Sequence, residues 1–216
     1  MTKQLSLNLR GRPALGRSAF LISDANARAV AMIDTWRTWP GGKLALVGAH
    51  GAGKTHLAHV WAEQSGALVM QAGDMDLSAL DATNLVIEDV DRILGRKAAE
   101  EAVFHAHNAV LGRGGALLFS GASSPHYWDF ALPDLASRLC AATLATLEAP
   151  DDTLLAGVML KLFADRGVRA APSLINFLVP RVDRSFEAAE AAVEKVYTTA
   201  LAEGCPVGRG LASRLF

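Results

Sequence analysis

Only two cysteines, Cys140 and Cys205, occur in 216 residues, with no CxxC pair between them. That is too few for a disulfide framework or a thiolate metal site, so both are read as free thiols. Net charge of one sign is also missing. A formal charge of −1 gives no overall basic field that would draw the chain onto DNA or acidic lipid without specificity. No apolar run approaches the ~20 residues a membrane span needs, and the polar, basic N-terminus has no apolar signal segment, which predicts a cytoplasmic protein. Six histidines are present, and although His56 and His59 share a helix face and His105 and His107 lie close, no third ligand follows at metal-site spacing. Trp36, Trp39, Trp61 and Trp128 are not interleaved with basic residues, so they are read as packing groups rather than platforms for bases.

What is present is enough apolar residue for a real core: 51% apolar against 20% charged, the balance of a globular chain. Residues 1–16 hold Gly11, Pro13 and Gly16 among scattered arginines and show no helical period, which predicts a flexible arm. A helix is predicted from an Asp24 N-cap, with Ala29, Val30, Ile33 and Trp36 as its stripe, until Pro40 and Gly41. Beyond it, apolar runs at 44–47, 67–70, 85–87, 116–119 and 142–147 alternate with helical stretches at 55–64, 96–111 and 132–139. Continuous apolar strands separated by helices predict a parallel sheet covered on both faces, a three-layer α/β/α core over 17–147. After Pro150 only helical patterns follow (151–165, 173–179, 185–202), so 148–216 is predicted to be a small helical lid.

Gly48 to Thr55 reads GAHGAGKT, a full match to GxxxxGK[ST] behind the apolar strand KLALV and ahead of a helix. In such a loop Gly48, Gly51, Ala52 and Gly53 let backbone N–H groups turn toward phosphate oxygens, at the positive end of the helix that carries His56. Lys54 reaches the outer phosphates and Thr55 ligates Mg²⁺, so ADP or ATP with Mg²⁺ is the predicted cofactor. A downstream acidic strand end completes the chemistry, and LVIEDVD (Leu85 to Asp91) supplies Glu88 and Asp89 as candidates to hold the metal shell and polarise a water. Aspartate is the usual residue at the first of these positions; Glu88 leaves the order of the two roles open and predicts weak hydrolysis at most.

With this loop, the acidic strand, the helical lid, QLSLNL at Gln4 to Leu9 and LPDLASRL at Leu132 to Leu139, the chain resembles the AAA+ family of bacterial replication initiators, the DnaA/Hda family. The resemblance implies an AAA+ P-loop fold and a regulator of replication initiation that promotes hydrolysis of ATP bound to DnaA. QLSLNL resembles a peptide that docks on the DNA polymerase sliding clamp, with Gln4 at a pocket rim and Leu5, Leu7 and Leu9 as apolar anchors. Arg138 stands where the family presents an arginine finger, a guanidinium that stabilises charge on a partner's transferring phosphoryl group. Phe20, Leu21 and Ile22 correspond to the adenine-pocket segment and Ser120 to the polar sensor of the fourth strand. The arginine expected to head a lid helix is replaced by Glu187; Arg184, one turn earlier, either takes its place as a nucleotide-binding residue or the contact is lost, and Ala122 stands where relatives commonly carry an acid. Both departures imply a nucleotide held as a regulatory state more than turned over. The implied partners are DnaA and the sliding clamp, with DNA reached only through them; self-association is left open. Rival expectations are a DnaA-like initiator, disfavoured because 203–216 is too short for a helix-turn-helix domain, a helicase-loader-like adaptor, and a small-molecule P-loop kinase.

Overall fold

A computed structural model describes residues 21–76 and 81–216; the arm at 1–16, with Gln4, Leu5, Leu7 and Leu9, and also Phe20, lie outside the described residues. Five parallel strands form one sheet: β1 (Lys43–Gly48), β2 (Leu68–Gln71), β3 (Leu85–Glu88), β4 (Leu117–Gly121) and β5 (Thr143–Leu147). Their order is β2-β3-β4-β1-β5, with Leu44 facing Leu118 on one side and Thr143 on the other. β1 is therefore interior and its C-terminal end opens between two neighbours, the position where α/β sheets hold ligands.

Side chains alternate across this sheet, and each face has its own core. Leu44, Leu46 and Leu118 pack with Val30 and Ile33 of α1 (Ala27–Asp34) and with Leu57 and Trp61 of α2 (Lys54–Ser65). Trp61 is wholly buried and meets Trp36 and Trp39 at centroid distances of 6.0 and 5.1 Å, which makes these three rings packing groups. On the other face Ala45, Ile87 and Phe119 pack with Val103 and Val110 of α3 (Lys97–Gly112) and Leu135 of α4 (Pro133–Cys140). Both cysteines are free thiols.

Residues beyond β5 build a third cluster among four helices: α5 (Asp152–Asp165), α6 (Pro172–Leu178), α7 (Phe186–Glu203) and α8 (Arg209–Leu215). Asp151 and Ser185 cap α5 and α7 by accepting from the N–H groups of Leu154 and Ala188, at 2.7 and 3.1 Å. Among the described residues no helix is long and apolar enough to cross a membrane.

Three boundaries differ from the sequence expectation. The first helix is preceded by Asn26, not Asp24, because the Asn26 amide turns back to bond the Ser23 N–H and the Leu21 carbonyl. It stops at Asp34, where the Thr35 hydroxyl takes the Ala31 carbonyl and a 3₁₀ turn over Trp36–Thr38 follows. The segment after 203 adds α8, whose Leu211 and Ala212 are buried against the lid; seven residues with Gly210 among them give too few turns for a periodic signal.

Glu100 is the one fully buried carboxylate among the described residues. It accepts the N–H groups of Gly95 (2.8 Å), Ala131 (3.0 Å) and Leu132 (2.7 Å), tying the start of α3 to the residues that lead into α4. Removing the acceptor leaves three main-chain donors, part-buried at the Glu100 carboxylate, without their partner, each hydrogen bond to a charged group being worth about 1.5–3 kcal/mol. Glu100→Ala is therefore expected to lower stability by about 3–5 kcal/mol, with Glu100→Gln between it and wild type. Urea unfolding measures this, and a midpoint equal to wild type for the alanine variant would contradict the assignment.

Candidate functional site

Gly48 ends β1 and Lys54 begins α2, so the chain must reverse within residues 49–53. Gly51 and Gly53 do this with φ of 72° and 93°, in the left-handed region. A Cβ at Gly51 would lie 2.6 Å from the Ser185 Cβ, and one at Gly53 would lie 2.7 Å from the Phe186 ring. Both glycines are therefore required twice over, by backbone conformation and by the lid helix packed on the loop. The Phe186 N–H donates to the Gly51 carbonyl at 2.9 Å, and His50 Nδ1 stands 3.0 Å from Glu187 Oε2.

Within the loop, Ala52 is buried, Thr55 is exposed and His56 is half-buried in the first turn of α2. The Lys54 ammonium donates to the Gly48 carbonyl (2.8 Å) and the Ala49 carbonyl (3.0 Å). Burial pushes its pKa down, and Asp89, Asp91 and Glu88 pull it back up while Arg92 adds to the lowering. The loop lysine and the acids of the β3 end thus share one electrostatic locus.

Glu88 and Asp89 differ sharply in their surroundings. Glu88 is buried; its Oε2 accepts from the Gln71 amide at 2.8 Å, and its Oε1 is buried with no hydrogen-bond partner. Asp89 is the only non-glycine residue with positive φ among the described residues, at φ 56° and ψ 46°. Left-handed backbone costs a residue of this type about 1–2 kcal/mol, and such strain gathers at functional sites. It is held there by Ser120, whose buried hydroxyl accepts the Asp89 N–H at 3.1 Å, while Arg92 meets the Asp89 carboxylate at 3.2 Å. Ser120 is thus placed against the acidic strand end. Next to it the Ala122 N–H donates to Asp91 at 2.8 Å, so an acid borrowed from the neighbouring strand's loop occupies the surroundings of the residue that lacks one. Among the described residues no group of three or more His, Cys, Asp and Glu gathers as a ligand set.

The lid candidates fall on the opposite side of the loop. Arg184 precedes the Ser185 cap and turns its guanidinium to Asp152 at 2.9 Å, both exposed. Glu187 heads α7 and faces His50. Leu21 and Ile22 are partly exposed, and a Cβ on Gly157 of α5 would lie 3.2 Å from Leu21 Cδ1, so this segment runs beside the lid.

Arg138 is brought nowhere near Lys54. It lies exposed in the last turn of α4, with its guanidinium over the Phe104 ring at 5.0 Å and its carbonyl accepting from Lys43 Nζ at 2.6 Å. Lys43 opens β1 and Gly48 closes it, five residues or about 17 Å further along the strand. The finger candidate and the loop thus occupy opposite ends of the same sheet.

Sequence reasoning missed Gln71, Asp91, Glu100 and the His50–Glu187 pair. Glu100 did carry a signal: it falls in phase with Val103, His107 and Val110, the buried stripe of α3, where an acid needs partners. Gln71 and the His50–Glu187 pair depend on contacts between distant segments and leave no local trace.

No family model matches the chain. Chromosomal replication initiator protein DnaA of Sphingopyxis alaskensis is 26% identical over 227 residues, covering 93% of this chain and 49% of that protein. Domain III of the Thermotoga maritima replication initiation protein DnaA superposes with a TM-score of 0.82 at 20% identity, over 95% of this chain and 96% of that one. AMPPCP-bound DnaA from Aquifex aeolicus superposes with a TM-score of 0.74 at 14% identity, over 88% and 67%. The chain spans about a quarter to a half of the length of the curated relatives it matches. The chain is thus similar in sequence to DnaA proteins, and its fold is the AAA+ P-loop NTPase fold of DnaA domain III.

Proposed function

We propose that this chain is a DnaA-related regulator of replication initiation, of the Hda kind, that holds an adenine nucleotide in its own loop and promotes hydrolysis of ATP bound to DnaA. The observation that carries this reading is the separation of Arg138 from Lys54 along β1. A guanidinium at the far end of the sheet can serve only a nucleotide held by another molecule.

Residues 48–55 fit the phosphates of ADP or ATP: two left-handed glycines, a helix N-terminus without a side-chain cap, and a lysine whose hydrogen-bond partners among the described residues are loop carbonyls. Mg²⁺ would be held by the Thr55 hydroxyl with Glu88 and Asp89 around it, and when bound it neutralises phosphate charge. The buried, unpartnered Glu88 Oε1 supports that placement, since a carboxylate oxygen kept from water needs a cation or a donor. Ser120 fixes the Asp89 backbone, and Leu21 with Ile22, beside Gly157 of α5, is the segment against which the base would lie. Glu187 heads α7 opposite His50, and the Arg184 guanidinium is engaged by Asp152, in keeping with slow turnover of this chain's own nucleotide.

The reading assigns residues 17–147 to the core and 148–216 to the lid, and residues 4–9 to docking on the DNA polymerase sliding clamp. It is tested by the hydrolysis of radiolabelled ATP on DnaA with this chain added, with and without DNA-loaded clamp. Acceleration that requires loaded clamp is expected. Changing Gln4 and Leu5 to Ala should abolish retention by immobilised clamp and leave nucleotide affinity unchanged; equal retention would remove the docking assignment. Because the similar sequences are themselves DnaA and longer than this chain, a DnaA-like initiator is the second reading, and direct binding of origin DNA would favour it.

A further inference from the structure

The helix that carries Arg138 is anchored at both ends by side chains from elsewhere in the core. Glu100 accepts the Leu132 N–H at its entry, and Lys43 donates to the Arg138 carbonyl at its exit. Leu135 and Leu139 bury the helix between these points. The last carbonyls of any helix lack intrahelical partners and carry the negative end of its dipole, so an ammonium there is favourable. Here, however, the ammonium is bonded to the carbonyl of the arginine itself, and the guanidinium of that arginine lies over Phe104.

The charges at this corner are unusual. Lys43 is half-buried, and burial and the nearby Arg138 both hold its pKa below the ordinary lysine value. His107 is buried one turn beyond Phe104 on α3, with its Nε2 unpartnered and its pKa pushed down by burial and by both cations, against a raising hydrogen bond from Asn108. No carboxylate pairs with Lys43 or Arg138 among the described residues. Two like charges kept together without an anion repel, and a phosphate-bearing anion arriving at the corner relieves them.

We propose that Lys43 is the positioning residue for Arg138, fixing the main chain of α4's last turn so that the guanidinium leaves Phe104 in one direction, toward a partner's phosphates. This rests on the reading of Arg138 as a finger. Lys43 itself does not touch the nucleotide; it sets where the arginine starts from. A mere helix cap would stabilise α4 without caring what residue 138 is.

The experiment is a double-mutant cycle of Lys43→Met with Arg138→Ala, scored by the maximal stimulated rate of hydrolysis of DnaA-bound ATP at saturating regulator and loaded clamp. Lys43→Met should lower that rate roughly tenfold, a fraction of the finger's own contribution, with little change in the half-saturating concentration. Lys43→Arg, which keeps a donor, should restore most of it. In the Arg138→Ala background Lys43→Met should change nothing. A Lys43→Met rate equal to wild type, or an equal loss in both backgrounds, overturns the proposal. An Arg138→Ala protein as active as wild type overturns the finger reading and this proposal together. A second readout needs no partner: the Arg138 Nε–H resonance, placed by the Phe104 ring, should move in Lys43→Met and return in Lys43→Arg. No movement would overturn the positioning role even where Arg138 proves essential.

Discussion

Replacing Arg138 with alanine is expected to collapse the stimulation of DnaA-bound ATP hydrolysis about a thousandfold, while the protein remains folded and keeps its affinity for ADP. The size follows from what a finger does. Its charge meets the negative charge that builds on the transferring phosphoryl group, and its planar fork spans two oxygens at once. A thousandfold is about 4 kcal/mol of transition-state stabilisation, well above the roughly 0–1 kcal/mol of an exposed ion pair. Preservation of the fold follows from its position, since the side chain is exposed and its single described contact is the Phe104 ring. The Lys43 bond goes to the main-chain carbonyl, which alanine keeps. Lysine at 138 should rescue poorly because a point charge replaces the fork. Single-turnover hydrolysis with loaded clamp measures the effect, and a wild-type rate in Arg138→Ala would reduce the residue to surface charge.

Lys54→Ala should weaken binding of a fluorescent ADP analogue about a hundredfold or more, the cost of deleting one partner of a partly buried, charged hydrogen bond. The ammonium is positioned to transfer. It now bonds two carbonyls of its own loop, and although burial lowers its pKa, the three carboxylates at the β3 end act against that lowering. Those carbonyl bonds are modest and partly exposed, so the variant should unfold near the wild-type midpoint. Unchanged affinity in a folded Lys54→Ala protein would remove the loop from nucleotide binding. Arg138→Ala and Lys54→Ala are expected to separate cleanly, one losing the effect on a partner and the other losing the protein's own ligand.

Much of this molecule was legible in its sequence because the signals were local. Each of the five apolar runs became a strand within about two residues, and GAHGAGKT lies between β1 and α2 as its pattern requires. The acidic strand was legible too, since LVIE must leave the core somewhere and its carboxylates mark the exit. The left-handed turn at Asp89 was not: nothing in LVIEDVD requires it, and the Ser120 hydroxyl that supports it comes from a strand 31 residues away. The same holds for the lid on the loop. Phe186 and Ser185 read as ordinary helix-start residues, and only the structure places them where a side chain at Gly51 or Gly53 would collide. The first helix is shorter than its apolar stripe predicts because an asparagine and a threonine bonding to nearby main chain outcompete the longer stripe.

Parallel strands give the molecule a direction, and that direction governs how copies or relatives can join. A contact between the Arg138 end of one molecule and the loop end of another uses two different patches, so it is heterologous and no twofold axis can generate it. Each member of such an assembly has one neighbour ahead and another behind, and the terminal members differ: one keeps an unserved nucleotide, the other an idle arginine. Whether a row of this kind grows or stops is then decided by whether the next molecule offers a loop end in the right orientation. Capping it would take only a partner whose own arginine end is blocked.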